Sequence, residues 1–505
     1  MSKKNYARIY SCHLSGFSVN LVKVEANIKK GIPKNSIVGS PDLSIRESMD
    51  RIRIAVENSG FHYPLQNILV NLSPAGLKKS GSFFDLPIIT AILVATAQIN
   101  PGDLVDNAVF IGEAGLDGSV KGIAGIINIL LFLKSEGFKN AIIPSENSYE
   151  ASVVKGINTI PISSIQDLSG LANPVLNDHV FQIKRPGRNL PEISLYDYQL
   201  IAFRAMQIAL AGRHHIMFMG SPGSGKTMIS RLARLLQPEI DEYEFSEILR
   251  IDSLKGRLID EKSITVERPF RSPHHTSSEA AIVGGGNHLQ MGEITRAHMG
   301  ILFLDELGEF KPRVIQALRE PMEERKITIS RASGNVTYPS SFQLICSTNP
   351  CPCGYYKSRE RICLCNTGKI KNYLARFNGP FLDRIDLYTE LYKKENARSA
   401  KVSLENCYAE IQSAIAMQKK RFAKAENQYN SFCTHFETNL LQLDKTAQHC
   451  VETMENEYSL RKIHSIKKTA RTIADLECSD TVLEKHILEA LHYANPANVY
   501  LRTAA

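Results

Sequence analysis

The strongest constraint on the fold is one uninterrupted glycine-rich stretch with the pattern G-x-x-x-x-G-K-T. It consists of Gly220, Ser221, Pro222, Gly223, Ser224, Gly225, Lys226 and Thr227. The apolar run 216–219 before it predicts a short buried strand. After it we expect a helix whose apolar face contains Met228, Leu232, Leu235 and Leu236. The stretch therefore joins a strand to a helix, which is the context that a phosphate-binding loop requires.

Each residue type in this loop suits the binding of phosphate groups. Glycines let successive backbone N–H groups turn towards the β- and γ-phosphates, and the N-terminus of the helix adds partial positive charge. Lys226 would neutralise phosphate oxygens, and the hydroxyl of Thr227 would bind Mg²⁺. The pattern therefore predicts ATP and Mg²⁺ as cofactors. The alternative is a glycine-rich turn that binds no ligand.

Length and composition limit the class of protein. A chain of 505 residues is too long for a single core, so we expect two or three domains. The 60 Lys and Arg residues against 52 Asp and Glu give a net charge of +8, which permits nucleic acid as a partner but is also typical of a solvated surface. No apolar run reaches the ~18 residues of a membrane span, and the N-terminus leads into no apolar signal core. We therefore expect a cytoplasmic protein without a membrane partner.

Two further predicted strands end in polar residues that suit nucleotide hydrolysis. The apolar run 301–304 precedes Asp305 and Glu306, and the stretch 342–348 precedes Asn349. Buried parallel strands would carry these side chains to the carboxyl edge of a sheet, where ligands bind. Asp305 could then hold the Mg²⁺ shell, Glu306 could deprotonate the attacking water, and Asn349 could bind that water or the γ-phosphate. The alternatives are two exposed acids at a strand end, and an asparagine that starts a turn before proline.

Four of the ten cysteines lie within fifteen positions of one another: Cys351, Cys353, Cys363 and Cys365. Four thiolates can close a tetrahedral Zn²⁺ site, so we expect structural zinc here. Free thiols packed near the nucleotide are the alternative. The adjacent His274 and His275 resemble a metal pair but have no spaced third ligand, so a role in a loop is expected for them.

A β-hairpin is predicted just before the run that ends at Asn349. Residues 326–331 and 336–338 have the composition of strands, and a turn through 333–335 joins them. Lys326 and Arg331 could contact a nucleic-acid backbone there, independently of sequence. Solvated charges at a strand edge are an equally good interpretation.

Four runs in the first 175 residues resemble the magnesium-chelatase-related AAA+ ATPases of the ComM/YifB family: 37–42, 58–61, 70–75 and 84–87. The resemblance implies an α/β protein, an AAA+ P-loop ATPase with an N-terminal Lon-protease-like α/β domain and a C-terminal helical lid. In that first domain the nucleophile position of Lon falls on Phe83, and the lysine position on Ile127 or Ile129. Ser82 stands one position away, but no base can be assigned to it. A serine–lysine hydrolase is therefore not expected.

The resemblance also assigns roles to two arginines. The stretch 379–387 resembles the segment that carries the arginine finger, which points to Arg384. An ion pair of Arg384 with Asp383 or Asp386 is the alternative. The stretches 458–461 and 471–476 resemble the lid signature, in which Arg461 is the second sensor that touches the γ-phosphate.

These motifs predict four regions along the chain. They are a non-catalytic Lon-like domain at 1–175, a linker at 176–195, an AAA+ core with the cysteine cluster at 196–391, and a helical lid at 392–505. The resemblance implies a hexameric, ATP-dependent helicase that drives branch migration on single-stranded or branched DNA in natural transformation and homologous recombination. An AAA+ ATPase that remodels proteins and a motor subunit of the magnesium-chelatase type remain alternatives.

Overall fold

The computed structural model describes residues 5–180, 188–256, 267–286, 290–331, 334–377, 379–423, 428–434, 437 and 440–494. These residues form two compact units. The first contains the described residues within Met1–Arg185 and Glu242–Val266, and the second those within Pro186–Asp241 and Glu267–Ala505. Within the described ranges, no helix is long and apolar enough to cross a membrane.

The first unit is an α/β domain. Its strands are β1 (Tyr6–Ser15), β2 (Ser18–Lys29), β3 (Lys34–Val38), β4 (Asn67–Ser73), β5 (Ala108–Phe110), β6 (Glu113–Ala114), β7 (Val120–Lys121), β8 (Asn140–Pro144) and β9 (Asn158–Ile162). Its helices are α1 (Leu43–Asn58), α2 (Asp85–Ala95), α3 (Leu104–Asn107), α4 (Ile126–Ser135), α5 (Ser148–Ala151) and, from later in the chain, α8 (Glu242–Ser253). Seven strands form one mixed sheet in the order β3-β4-β2-β1-β5-β8-β9. Helix α2 is buried along almost its whole length, which explains why its sequence is nearly all apolar.

Helix α8 lies in this first unit although its sequence position is inside the region predicted as the AAA+ core. Asn128 on α4 donates to the carbonyl oxygen of Arg250 at 2.9 Å, and Nε of Arg250 donates back to Oδ1 of Asn128 at 2.9 Å. The guanidinium of Arg250 also lies 4.4 Å from the ring centroid of Phe17. These contacts join residues far apart in sequence, so no local pattern could indicate them.

The polar residues near Phe83 do not form a serine–lysine pair. Lys79 is fully buried, and its Nζ donates to the carbonyl oxygens of Gly39 and Leu72, both at 2.9 Å. The hydroxyl of Ser82 donates to the carboxylate of Glu113. The amine of Lys79 is thus held by backbone carbonyls, and the partner of Ser82 is an acid.

The second unit contains the phosphate loop. Its strands are β10 (Glu192–Tyr196), β11 (Ile216–Gly220), β12 (Phe270–Arg271), β13 (Gly284–Gly285), β14 (Gln290–Met291), β15 (Ile301–Leu304), β16 (Lys326–Arg331), β17 (Gly334–Pro339), β18 (Gln343–Thr348), β19 (Leu387–Leu391) and β20 (Ser399–Ser403). Its helices are α6 (Asp197–Gly212), α7 (Lys226–Leu236), α9 (Glu279–Val283), α10 (Glu293–Arg296), α11 (Pro312–Ala317), α12 (Arg319–Glu324), α13 (Thr367–Leu374), α14 (Gly379–Leu382), α15 (Leu404–Arg421), α16 (Lys445–Met454), α17 (Leu460–Leu476) and α18 (Glu484–Ala494).

Five parallel strands form the central sheet of this unit in the order β12-β15-β18-β11-β19. The register places Phe303 beside Ile345, Ile345 beside Ile216, and Ile216 beside Leu387. All four side chains are buried, as expected for a parallel sheet covered on both faces. Because the strands are parallel, their carboxyl ends meet at one edge and their amino ends at the other.

Helix α7 buries a face that only partly matches the predicted one, since Leu236 is buried and Leu232 packs against the core as expected. Ile229, Ala233 and Leu236 are fully buried, whereas Met228 and Leu235 are 42% and 45% exposed. The buried residues are spaced i, i+4 and i+7, so they share one side of the helix. Apolar residue type alone therefore does not identify the whole buried face of α7.

The region expected as a linker contributes a strand. Strand β10 pairs antiparallel with β20, so that Leu195 lies beside Ala400. Leu195 is 1% exposed and belongs to the core of the second unit. The tail after β20 is helical as predicted, through α15, α16, α17 and α18. The predicted hairpin is also confirmed, as the antiparallel pair β16 and β17.

Candidate nucleotide site

The phosphate loop lies at the carboxyl edge of the parallel sheet, between β11 and α7. Gly223 and Gly225 have φ angles of 71° and 99°, in the left-handed region that glycine adopts without strain. Gly220 is needed for another reason, because a Cβ there would lie 2.0 Å from the carbonyl oxygen of Leu391 on β19. Backbone geometry therefore explains the three glycines of the loop without reference to a ligand, but it does not explain Lys226.

The side chain of Lys226 forms hydrogen bonds with the backbone of its own loop. Its Nζ donates to the carbonyl oxygens of Gly220 at 2.8 Å and Ser221 at 2.9 Å, and to Oδ1 of Asn349 at 3.2 Å. Burial lowers the pKa of Lys226 to about 8. These three acceptors are neutral oxygens, so an anionic phosphate would be a stronger partner for the ammonium group. Asn349 thus reaches the same point as Lys226, as its position at a strand end predicts.

Asp305 lies beside Thr227. The hydroxyl of Thr227 donates to Oδ2 of Asp305 at 2.9 Å, and the hydroxyl of Ser347 donates to Oδ1. A carboxylate and a hydroxyl at this spacing are hard oxygen ligands of the kind that Mg²⁺ prefers, so these residues fit the ion. Sequence reasoning missed Ser347, whose only signal was a hydroxyl near the end of a predicted strand.

Glu306 has an unusual backbone. Its φ is 52°, in the left-handed region, and its side chain is 59% exposed. Residues other than glycine seldom adopt this conformation, and they do so preferentially at functional sites. Nδ1 of His275 lies 3.6 Å from Oε2 of Glu306. The histidine that was expected only to shape a loop therefore contacts the proposed water-activating acid.

The segment 351–365 packs against the outer side of the phosphate loop. The hydroxyl of Ser221 donates to Oε1 of Glu360 at 3.0 Å, and Nζ of Lys393 lies 3.7 Å from Oε2 of the same residue. A Cβ on Gly354 would lie 2.7 Å from Cδ of Pro222. Loop and segment are thus in direct contact, which their separation in sequence does not reveal.

The four cysteines of this segment converge. Their sulfur atoms all lie within 4.8 Å of one another. Sγ of Cys351 is 3.4 Å from that of Cys353 and 3.7 Å from that of Cys363, and Cys353 and Cys363 are 3.5 Å apart. A tetrahedral zinc ion with Zn–S bonds of about 2.3 Å would place its sulfur ligands about 3.8 Å apart. The donor set therefore fits zinc, and the spacings are too long for disulfides.

The two predicted arginines lie at the opposite, amino edge of the sheet. Arg384 donates to the carboxylate of Glu323, and Nη2 of Arg461 lies 3.2 Å from Oε1 of Glu323. The partner of Arg384 is thus Glu323, not Asp383 or Asp386.

All three groups line a cavity of about 520 Å³, whose wall also contains His215, the residue before β11. Five residues of β11 separate this edge from the phosphate loop, roughly 16 Å at ~3.3 Å per residue. The structure therefore does not bring Arg384 and Arg461 to the phosphate loop of their own chain.

The predicted nucleic-acid contacts lie on the β16–β17 hairpin. Lys326 has a side chain that is 57% exposed, and its Nζ lies 3.7 Å from Oε2 of Glu324. The side chain of Arg331 lies outside the described residues.

Three family models match successive parts of the chain. Family models match residues 24–147 (subunit ChlI of Mg-chelatase), 196–399 (magnesium chelatase, subunit ChlI) and 401–494 (the C-terminal part of that subunit). Competence protein ComM of Haemophilus influenzae is 35% identical over 501 residues, covering 96% of this chain and 97% of ComM. The chain belongs to the ComM/YifB family of magnesium-chelatase-related AAA+ ATPases. The uncharacterized protein YifB of Escherichia coli is similar too, at 33% identity over 95% of both chains.

A shorter match concerns Lon protease 2 of Bacillus subtilis, which is 29% identical over 136 residues, or 26% of this chain and 24% of Lon. Family and fold are thereby confirmed. The chain is an AAA+ P-loop ATPase with an N-terminal Lon-protease-like α/β domain and a C-terminal helical lid.

Proposed function

We propose that this ATPase is a hexameric DNA helicase of the cytoplasm that drives branch migration during natural transformation and homologous recombination. One observation carries the proposal of a shared site: the residues predicted to act in hydrolysis lie at opposite edges of one sheet. Lys226 and Glu306 lie at the carboxyl edge, and Arg384 and Arg461 lie at the amino edge. A complete site then needs two copies of the chain, and head-to-tail repetition of such a contact closes a ring.

The residues at the carboxyl edge would divide the chemistry of hydrolysis. Lys226 would exchange its carbonyl partners for phosphate oxygens, and Thr227 and Asp305 would hold Mg²⁺, which neutralises charge on the phosphates when it is bound. Glu306 would accept the proton of the attacking water, and Asn349 would orient that water. Arg384 and Arg461 of the adjacent copy would stabilise the charge of the transition state.

The surface of the β16–β17 hairpin favours DNA over a polypeptide as the substrate. The side chains that are exposed in its described part are all hydrophilic: Lys326, Thr328, Ser330, Asn335 and Thr337. The apolar side chains of the hairpin face the core, with Ile327 and Tyr338 4% and 5% exposed. A motor that pulls polypeptides favours exposed aromatic side chains at this place. A lysine among small polar residues suits a phosphate backbone.

ATP turnover with and without DNA tests this function. We expect single-stranded or forked DNA to raise turnover severalfold, and the Lys226→Ala variant to show no turnover with either. Lys326→Ala should lose most of the stimulation by DNA, whereas Ser330→Ala, on the same exposed face, should keep it. Stimulation by an unfolded polypeptide in place of DNA would refute the helicase.

The cysteine cluster would complete the site from outside. With zinc bound to Cys351, Cys353, Cys363 and Cys365, the segment 351–365 would be held in one conformation against the phosphate loop. Its contacts with Ser221 and Pro222 would then support the loop that receives the phosphates.

A further inference from the structure

Glu323 is the meeting point of the two arginines at the amino edge. Its Oε2 accepts from Arg384, and its Oε1 lies 3.2 Å from Nη2 of Arg461. Arg384 belongs to the segment before β19, and Arg461 is the second residue of α17 in the lid. A single carboxylate therefore joins an arginine of the core to an arginine of the lid.

At this junction one negative carboxylate faces two positive guanidinium groups. Burial by itself would raise the pKa of Glu323, but the hydrogen bond from Arg384 and the positive charges of Arg461 and Arg384 hold that pKa below its ordinary value. The carboxylate thus stays ionised in this cavity. The side chain of Glu323 is 45% exposed, so it is accessible from solvent.

Glu323 also lies next to the hairpin. It is the penultimate residue of α12, and β16 begins only three residues later, at Lys326. The intervening Arg325 has a φ of 55°, and its guanidinium lies 3.8 Å from the ring centroid of Phe432. A displacement of Glu323 would therefore be transmitted to the first strand of the hairpin over a very short and well-packed connection.

We propose that Glu323 is a positioning residue that holds Arg384 and Arg461 in the free protomer and yields them to the γ-phosphate of a neighbour's ATP. The carboxylate and the phosphate offer the same kind of oxygen to the guanidinium groups, so they compete for them. When the phosphate displaces it, Glu323 is free to move with α12, and nucleotide binding at the interface reaches the β16–β17 hairpin. This inference rests on the proposed function, because it needs the arginines to act between two copies.

The test compares Glu323→Gln with Glu320→Gln, an exposed glutamate on the same helix. Assembly of the full chain is measured by sedimentation against the concentration of a slowly hydrolysed ATP analogue, and turnover is measured with and without single-stranded DNA. Glutamine keeps the size of the side chain but attracts arginine less. In Glu323→Gln, half-maximal assembly should therefore need about three- to tenfold less nucleotide, and stimulation by DNA should be lost. Glu320→Gln should behave as wild type.

Whether assembly becomes stronger or weaker in Glu323→Gln distinguishes a positioning role of Glu323 from a purely structural one. A residue that only stabilises the fold would, when replaced, weaken assembly and lower the melting temperature. If wild type assembles with nucleotide but folded Glu323→Gln assembles equally well or less well, the proposed role of Glu323 is wrong. The shared site would not be affected by that result. A wild-type chain that hydrolyses ATP as a monomer would overturn the shared site, and the proposed function with it.

Discussion

Mixing two inactive variants tests whether each site is shared between copies. In Glu306→Gln the phosphate-loop side of the site is defective, and in Arg384→Ala the arginine side is defective. Each variant alone should lose about 10³-fold in turnover, the usual effect of removing the water-activating acid or the arginine finger. The distance of roughly 16 Å along β11 is what predicts a different result for the mixture.

If Arg384 acts on the adjacent copy, some interfaces in a mixed ring are intact. In an equal and random mixture, about half of the chains have an intact Glu306, and about half of the chains next to them have an intact Arg384. About one quarter of the interfaces are then intact, so turnover should recover to about one quarter of the wild-type rate. If Arg384 instead acted within its own chain, every site would carry one defect. Turnover would then stay below roughly 1% of wild type.

Turnover of the mixture is measured after the subunits have exchanged, which differently labelled chains can verify. The control mixes Lys226→Ala with Glu306→Gln, whose defects lie on the same side of the site, and should show no recovery. Absence of recovery in the Arg384→Ala mixture, with exchange verified, would refute the assignment of the arginines to a neighbouring site.

Three further predictions concern stability and metal content. Gly220→Ala should destabilise the second unit by about 2–3 kcal/mol in urea unfolding, because its Cβ would lie 2.0 Å from the carbonyl oxygen of Leu391; an unchanged midpoint would contradict this. Cys363→Ser should lower the zinc content from about one equivalent to below half, measured by atomic emission under reducing conditions; equal zinc in both proteins would remove the cluster as a zinc site. Asp475→Ala should cost about 3–5 kcal/mol, because it leaves the fully buried Arg471 without the carboxylate at 3.1 Å; a loss below about 1 kcal/mol would contradict it.

Local sequence predicts much of the nucleotide edge. The loop has left-handed backbone at Gly223 and Gly225, β15 ends where its apolar run ends, and β18 ends directly before Asn349. Since parallel strands share one carboxyl edge, the positions of Asp305 and Asn349 follow from the strands that precede them. These features depend on neighbours along the chain, so they are visible without a structure.

Other features depend on contacts between distant parts of the chain. Ser347 beside Asp305, His275 beside Glu306, and Glu360 on Ser221 each pair residues whose types are common in ordinary loops and strands. Likewise, the buried face of α7 was predicted only in part, and the placement of α8 in the first unit was not predicted. Residue type and spacing carry no information on such pairings, because many partners would satisfy the same hydrogen bonds.

Glycine spacing and apolar runs are enough to predict a phosphate loop followed by two strands that end in polar residues, and the likeness to a known family points to Arg384 and Arg461. Folding places these arginines together on Glu323 at the amino edge, away from the loop of their own chain. This separation follows from the direction of the strands. A motif predicts which residues form a site, but the parallel sheet determines at which of its two edges each residue lies.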